Sequence, residues 1–162
     1  TGLQVGTATV IEYEHYLEEA FLIASLPNFG QGISNRESKK KYYFRDHGLL
    51  SLFLAEPESF VLETIVFNTL RRRFAPNVFY LRDASEVDFY VPGQMLVQAA
   101  WRLEKEATRK REFTSMLKAA DKFQVPRLLI ITYNQEEKIT VDNRQIHVIP
   151  AWKWMLNNTI KE

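Results

Sequence analysis

The chain contains no cysteine. Disulfides, cysteine-ligated zinc, iron–sulfur clusters and thiol catalysis are therefore excluded. Its three histidines, His15, His47 and His147, lie far apart and form no H-x-x-x-H pair. No apolar run approaches the ~18–20 residues that span a bilayer. The opening residues have neither the basic region nor the apolar stretch of a signal peptide, so a cytoplasmic protein with no membrane partner is expected. An excess of one charge is missing too: 21 Lys and Arg stand against 20 Asp and Glu, so net charge does not by itself indicate a nucleic-acid partner. Glycine and proline are sparse and scattered, which excludes collagen-like and low-complexity chains, and no solenoid period is visible. What remains is 162 residues, 46% of them hydrophobic, enough for about one domain with an ordinary core. The first residue is Thr1 rather than methionine, and a piece of a longer protein is expected.

Helical spacing is clear over 9–24, where Val10, Tyr13, Leu17, Ala20 and Phe21 recur on one side while Glu12, Glu14, Glu18 and Glu19 mostly face away. Thr7 or Thr9 is available as its cap. The polar, glycine-bearing segment 30–41 reads as an exposed loop or hairpin tip, and KYYFRD (41–46) as a strand. A second helix is expected over 60–74, opened by Pro57 and closed by Pro76. Three short strands follow at 78–83, 86–91 and 95–101, the last two separated by Pro92-Gly93-Gln94 as a turn. A charged helix over 105–123 leads to RLLIITY (127–133), a run apolar enough for a strand buried on both faces. Residues 134–138 read as a turn and 146–152 as a last strand, before a short terminal helix anchored by Trp152, Trp154 and Met155. The order after residue 57 is α-β-β-β-α-β-β-α, which implies an α/β architecture with a mixed sheet between helices.

A three-residue loop at 92–94 pairs Val91 with Met95. Counting outward sets Asp88 opposite Gln98 and Glu86 opposite Ala100, with all four side chains on one face. Glu63 heads the helical column Glu63, Phe67, Leu70, Phe74, so its carboxylate points inward or at the edge of the core, where it needs a partner or a metal. Glu63, Asp88 and Gln98 are thus candidate oxygen ligands for Mg²⁺ or Mn²⁺. The plainer alternative keeps Glu63 in a local cap or ion pair, Asp88 with an arginine such as Arg82, and Gln98 in a polar pocket.

A helix glutamate, a strand aspartate and a following strand with (D/E/Q)-x-K resemble the restriction-endonuclease-like superfamily, the PD-(D/E)xK nucleases. The phrases KKYYFRDHGLL (40–50), ETIVFNTLRRRF (63–74), SEVDFYV (85–91) and IHVIPAWKWM (146–155) further resemble the C-terminal part of a family of bacterial and archaeal AAA-type P-loop ATPases. In that family an ATPase domain precedes a winged helix and a nuclease-like domain of unknown function. The resemblance implies part of a winged helix over 1–46 and a restriction-endonuclease-like domain over 47–162. It implies Glu63 and Asp88 as metal ligands, DNA as a possible partner, and an ATPase domain elsewhere in the same polypeptide. No G-x-x-x-x-G-K-[ST] occurs in this chain, so ATP would belong to that other part.

One departure bears on activity. The motif's last phrase reads Gln98-Ala99-Ala100, with alanine at the lysine position. In active relatives that lysine positions water and stabilises charge on the phosphorane. Lys105, Lys110 and Lys118 on the following helix are the candidates to replace it. The expectation is a non-catalytic accessory domain of the ATPase that recognises a partner or nucleic acid. A metal-dependent DNA nuclease and a pure protein-interaction module are the alternatives. Lys39, Lys40 and Lys41, beside Tyr42 and Tyr43, and Arg109, Lys110 and Arg111 are candidate phosphate contacts. Arg71, Arg72 and Arg73 suit a helix C-terminus instead. His15 and His47 read as surface or turn residues.

Overall fold

The structure is a computed structural model and describes residues 6–29, 40–55, 57–82 and 86–156. Within them, α1 (Thr7–Glu19) leads into an antiparallel hairpin of β1 (Ile23–Leu26) and β2 (Lys41–Phe44). A 3-10 turn (His47–Leu49) and the one-turn α2 (Leu50–Phe53) connect it to α3 (Glu58–Phe74). The body follows: β3 (Phe79–Arg82), β4 (Glu86–Val91), β5 (Met95–Ala99), α4 (Glu106–Phe123), β6 (Arg127–Thr132), β7 (Glu137–Val141), β8 (Arg144–Pro150) and α5 (Ala151–Leu156).

The body is α/β, a mixed six-stranded sheet in the order β3-β4-β5-β6-β8-β7. β3, β4 and β5 form an antiparallel meander, β6 runs parallel to both β5 and β8, and β7 returns antiparallel along β8. Helices cover both faces. Against one, Leu62, Val66, Phe67 and Leu70 of α3 and Trp154 of α5 pack on Phe89, Val91, Met95 and Val97. Against the other, Met116, Ala119 and Ala120 of α4 pack on Leu96, Leu128, Ile130 and Ile146. The central strand β6 is buried along most of its length, as its unbroken apolar run requires. The turn at 92–94 is closed by the Gln94 amide donating to the Val91 carbonyl at 3.0 Å, with Gly93 at φ +70°. Glu58 in the first turn of α3 and Arg71, Arg72 and Arg73 in the last complement its macrodipole.

Three expectations are corrected. The helix read over 9–24 ends at Glu19: Phe21 adopts φ +59°, and residues 23–26 turn out of the helix to pair with β2. The pairing uses backbone donors and acceptors that a helix would have consumed. α1 begins after Gly6 with no side-chain cap from Thr7 or Thr9. Residues 134–138 do not hold the whole turn; Glu137–Val141 is an edge strand, and the tight turn lies at Asp142-Asn143, with φ +48° and +62°. Those angles suit a two-residue hairpin loop, a signal present in the Asp-Asn pair.

The hairpin is joined to the sheet edge. Past β1, the Tyr80 amide donates to the Pro27 carbonyl and the Phe29 amide to the Tyr80 carbonyl, both at 3.0 Å. β1 thus continues as an edge segment along β3, which blunts an otherwise open strand. It also hangs β2 over the meander.

Candidate active site

Beyond Phe89 and Val97 the regular pairing of β4 and β5 gives way to side-chain bonds. The Asp88 amide donates to Gln98 Oε1 at 3.1 Å, and the Ala99 amide donates to Asp88 Oδ2 at 3.0 Å. The two polar residues staple the strand ends, and each is only 8% exposed. Next to them is a cavity of about 300 Å³ lined by Glu63, Glu86, Asp88, Gln98, Arg111, Glu112 and neighbouring atoms.

The structure brings Glu63, Asp88 and Gln98 together and adds a cation from elsewhere in the chain. Lys41, the first residue of β2, places Nζ 3.6 Å from Glu63 Oε1, 3.5 Å from Asp88 Oδ1 and 3.7 Å from Glu86 Oε1. The Glu63 and Asp88 oxygens share one nitrogen neighbour, well inside the ~10 Å separation that would prevent them from sharing a cation. Two residues on, and so on the same side of β2, the Tyr43 hydroxyl donates to Glu63 Oε1 at 2.7 Å. Its ring stacks on Phe67 at 4.3 Å. Lys41 also lies 5.3 Å from the centre of the Tyr80 ring.

From α4 comes Glu112, buried and paired with Arg111 at 2.6 Å. Four carboxylates therefore face two cations in and around one pocket. Burial, and next the Glu63 carboxylate, push Asp88 up to about 7, although Lys41 and the Ala99 amide pull the other way. Burial works to lower Lys41, but attraction to Asp88, Glu63 and Glu86 outweighs it and holds Lys41 above the ordinary lysine value. Burial first, then Glu63, raises Tyr43, which stays a neutral donor.

Other expected residues fall differently. Ala100 is packed in the α4-side core rather than at the pocket. Lys110 and Lys118 line a separate hollow between α4 and the β7–β8 turn, and Lys105 is exposed at the start of α4, so none of the three replaces the motif lysine. The cation paired with Asp88 is Lys41, where the plainer reading had Arg82. Lys39 lies outside the described residues. Lys40 is half-buried just before β2, and Lys41 is engaged by carboxylates. Arg109 pairs with Glu137 and lies over Phe113, Arg111 pairs with Glu112, and Lys110 is exposed. The 109–111 run is therefore not a row of open phosphate contacts. Trp154 is buried, whereas Trp152 is 57% exposed. His15 pairs with Glu19 on the surface of α1, and His47 opens the 3-10 turn.

Sequence reasoning missed Tyr43 and Glu112 as members, and it read Lys41 as a phosphate contact rather than the partner of carboxylates. Glu112 heads the column Glu112, Met116, Ala119, Ala120 as Glu63 heads its own, a readable signal. Lys41 and Tyr43 share a strand face, also readable, but nothing local says what that face meets.

Residues 1–59 match DUF8612, a domain of unknown function. The matched stretch ends where α3 begins, so it holds Lys41 and Tyr43 but none of the four carboxylates. Over 165 aligned residues, 94% of this chain, the sequence is 34% identical to an uncharacterized protein of Methanocaldococcus jannaschii. The chain spans 37% of that relative's length. Among the described residues no helix is long and apolar enough to cross a membrane.

Proposed function

We propose that this chain is the C-terminal region of a AAA-type P-loop ATPase and carries a nuclease-like domain of the PD-(D/E)xK type, whose acidic pocket serves divalent-cation-dependent phosphodiester hydrolysis on DNA. Topology supports it: α3, the β3-β4-β5 meander, α4 and the parallel β6 run in the order such a domain requires, with Glu63 on the helix, Asp88 on the second strand and Gln98 on the third. The observation that carries the reading is Lys41. The motif's own lysine position is Ala100, and an ammonium nevertheless stands 3.5 Å from Asp88. A pocket meant only to contact phosphates has no use for four carboxylates, which repel them.

The donors suit a hard cation in type, since Mg²⁺ and Mn²⁺ take carboxylate and carbonyl oxygens and leave positions to water and phosphate. Among the described residues no three acidic or histidine side chains are already set as a metal cage, and Lys41 holds the space between the carboxylates. Glu63 and Asp88 would hold the ion, with Gln98 alongside; its Oε1 already accepts one backbone amide. When bound, the ion supplies Lewis-acid stabilisation of charge on the phosphoryl oxygens. Within the chain, Tyr43 orients Glu63, the Ala99 amide orients Asp88, and Lys41 supplies positive charge beside the scissile group.

A second reading, a non-catalytic accessory domain that recognises a partner or nucleic acid, is favoured by the engagement of Lys41 with three carboxylates. The test is DNA cleavage with Mg²⁺ and Mn²⁺, wild type beside Asp88→Ala. Cutting by the wild type alone supports hydrolysis; no cutting by a folded wild type, with salt-sensitive DNA binding, supports the accessory reading.

A further inference from the structure

We infer that the open face of α1 is a docking surface for the rest of a longer polypeptide of which this chain is one part, and that α1 with the β1–β2 hairpin is a two-sided adaptor between that part and the α/β body. The inference rests on the proposed placement of the chain within a longer polypeptide and on nothing that the acidic pocket does.

α1 carries the argument. Val10, Tyr13 and Leu17 recur at i, i+3 and i+7, a single stripe of the helix, and Phe21 continues the line just past its end. They are 43%, 62%, 39% and 69% exposed in that order, and none of the 13 residues of α1 is buried. A helix of that length is marginal in water unless its apolar face packs against something. A contiguous apolar surface of this kind marks a place of interaction.

The hairpin does not supply the cover. The Tyr42 hydroxyl donates to Glu14 at 2.8 Å and the Ser25 amide donates to Glu18 at 2.9 Å, so α1 meets β1 and β2 through carboxylates and leaves its stripe open. The opposite side of the hairpin is engaged by the body. Ala24, Leu26 and Tyr43 join the core beside α3, and the Asn68 amide donates to the Phe44 carbonyl at 3.0 Å. Tyr42 and Tyr43 are neighbours in β2 and point to opposite sides, the first to α1 and the second to Glu63. The hairpin is therefore a middle layer, and the layer outside it is uncovered.

A second copy of this chain fits the stripe poorly. α1 carries Glu12, Glu14, Glu18 and Glu19 and neither lysine nor arginine. Two such helices packed together set the carboxylates of both copies side by side with no cation from either helix. The occupant needs an apolar surface with Lys or Arg at its margin. The Methanocaldococcus jannaschii relative is matched over 94% of this chain but over only 37% of its own length, so most of that polypeptide lies outside the shared region. A polypeptide of that size offers the stripe an occupant on the same molecule, at high effective concentration.

The test is hydrogen–deuterium exchange of the amides of 8–19, read by mass spectrometry, in residues 1–162 alone and in the complete polypeptide that the gene encodes. Docking predicts exchange at least ~10-fold slower in the complete polypeptide. Leu17→Glu introduced there should return the α1 amides to the fast rate, while the β6 amides keep their wild-type rate and report an intact body. If that variant does not fold, the comparison of the two wild-type chains decides alone. Equal α1 exchange in both chains overturns the inference. So does a gene that encodes nothing beyond this chain, or a dimer of residues 1–162 in sedimentation whose α1 amides are already slow. ATP hydrolysis is scored separately. Slow α1 exchange in a complete polypeptide that does not hydrolyse ATP upholds docking and defeats the ATPase reading; hydrolysis with fast α1 exchange does the reverse.

Discussion

α1 and α3 carry the same kind of pattern and meet opposite fates. Both repeat apolar residues at helical spacing with charges between them. α3 buries Leu62, Val66, Phe67 and Leu70 against the sheet, whereas α1 buries none of its residues and leaves Ile11 and Tyr13 60% and 62% exposed. An amphipathic pattern names a face; it does not name what covers that face. α3 has a partner in Phe89, Val91 and Val97 within the described residues. α1 touches the hairpin through Glu14 and Glu18, on its polar side.

The contrast can be broken most sharply at Phe67. It is 1% exposed and stacked on Tyr43, so Phe67→Ala should cost ~3–5 kcal/mol of unfolding free energy in urea titration. A loss under ~1 kcal/mol would mean that α3 is no better anchored than α1. At the junction of the two regions, Tyr43→Phe removes the hydroxyl bond to Glu63. A bond to a charged group is worth ~1.5–3 kcal/mol, and the partial exposure of Glu63 argues for about 1.5. A change below ~0.3 kcal/mol would show that the hairpin is not fastened there.

The pocket answers to pH. Asp88 is raised from 3.8 to about 7 in the folded protein. Between those values the folded state holds a proton that the unfolded chain has lost, so stability contributed by Asp88 is full below about pH 4 and declines as pH rises toward 7. Asp88→Asn, which carries no charge at any pH, should not follow that decline. Its melting temperature relative to wild type should climb between pH 4 and 7.5. A flat difference would mean that Lys41 fully compensates the aspartate. The smallest effect is expected at α1, where Ile11→Ser should lie within ~0.5 kcal/mol of wild type. A larger loss would mean that the exposed face is covered.

The middle of the body was legible from the residues. Alternation in EVDFYV and MLVQA, with Pro92-Gly93 between them, sets one register, and that register puts Asp88 against Gln98. Glu63 was legible because a carboxylate heading an apolar column has few places to point. The β7 edge strand is hard to read because its alternation is half exposed and weakly apolar, and the end of α1 is hard to read because the left-handed turn at Phe21 has no glycine to announce it.

Periodicity and turn chemistry act between neighbours in the chain, and they suffice for α3, α4, the meander and the pairing of Asp88 with Gln98. Which cation stands among the carboxylates is a different kind of fact. Lys41 lies in a strand that reads equally well as a surface hairpin with a basic tip. Only the docking of Pro27–Phe29 along β3 hangs that strand over the sheet and turns its inward face, Lys41 and Tyr43, onto Glu63 and Asp88. That choice is made by long-range backbone pairing and by the need to neutralise buried charge, neither of which leaves a mark in the spacing of residues along the chain.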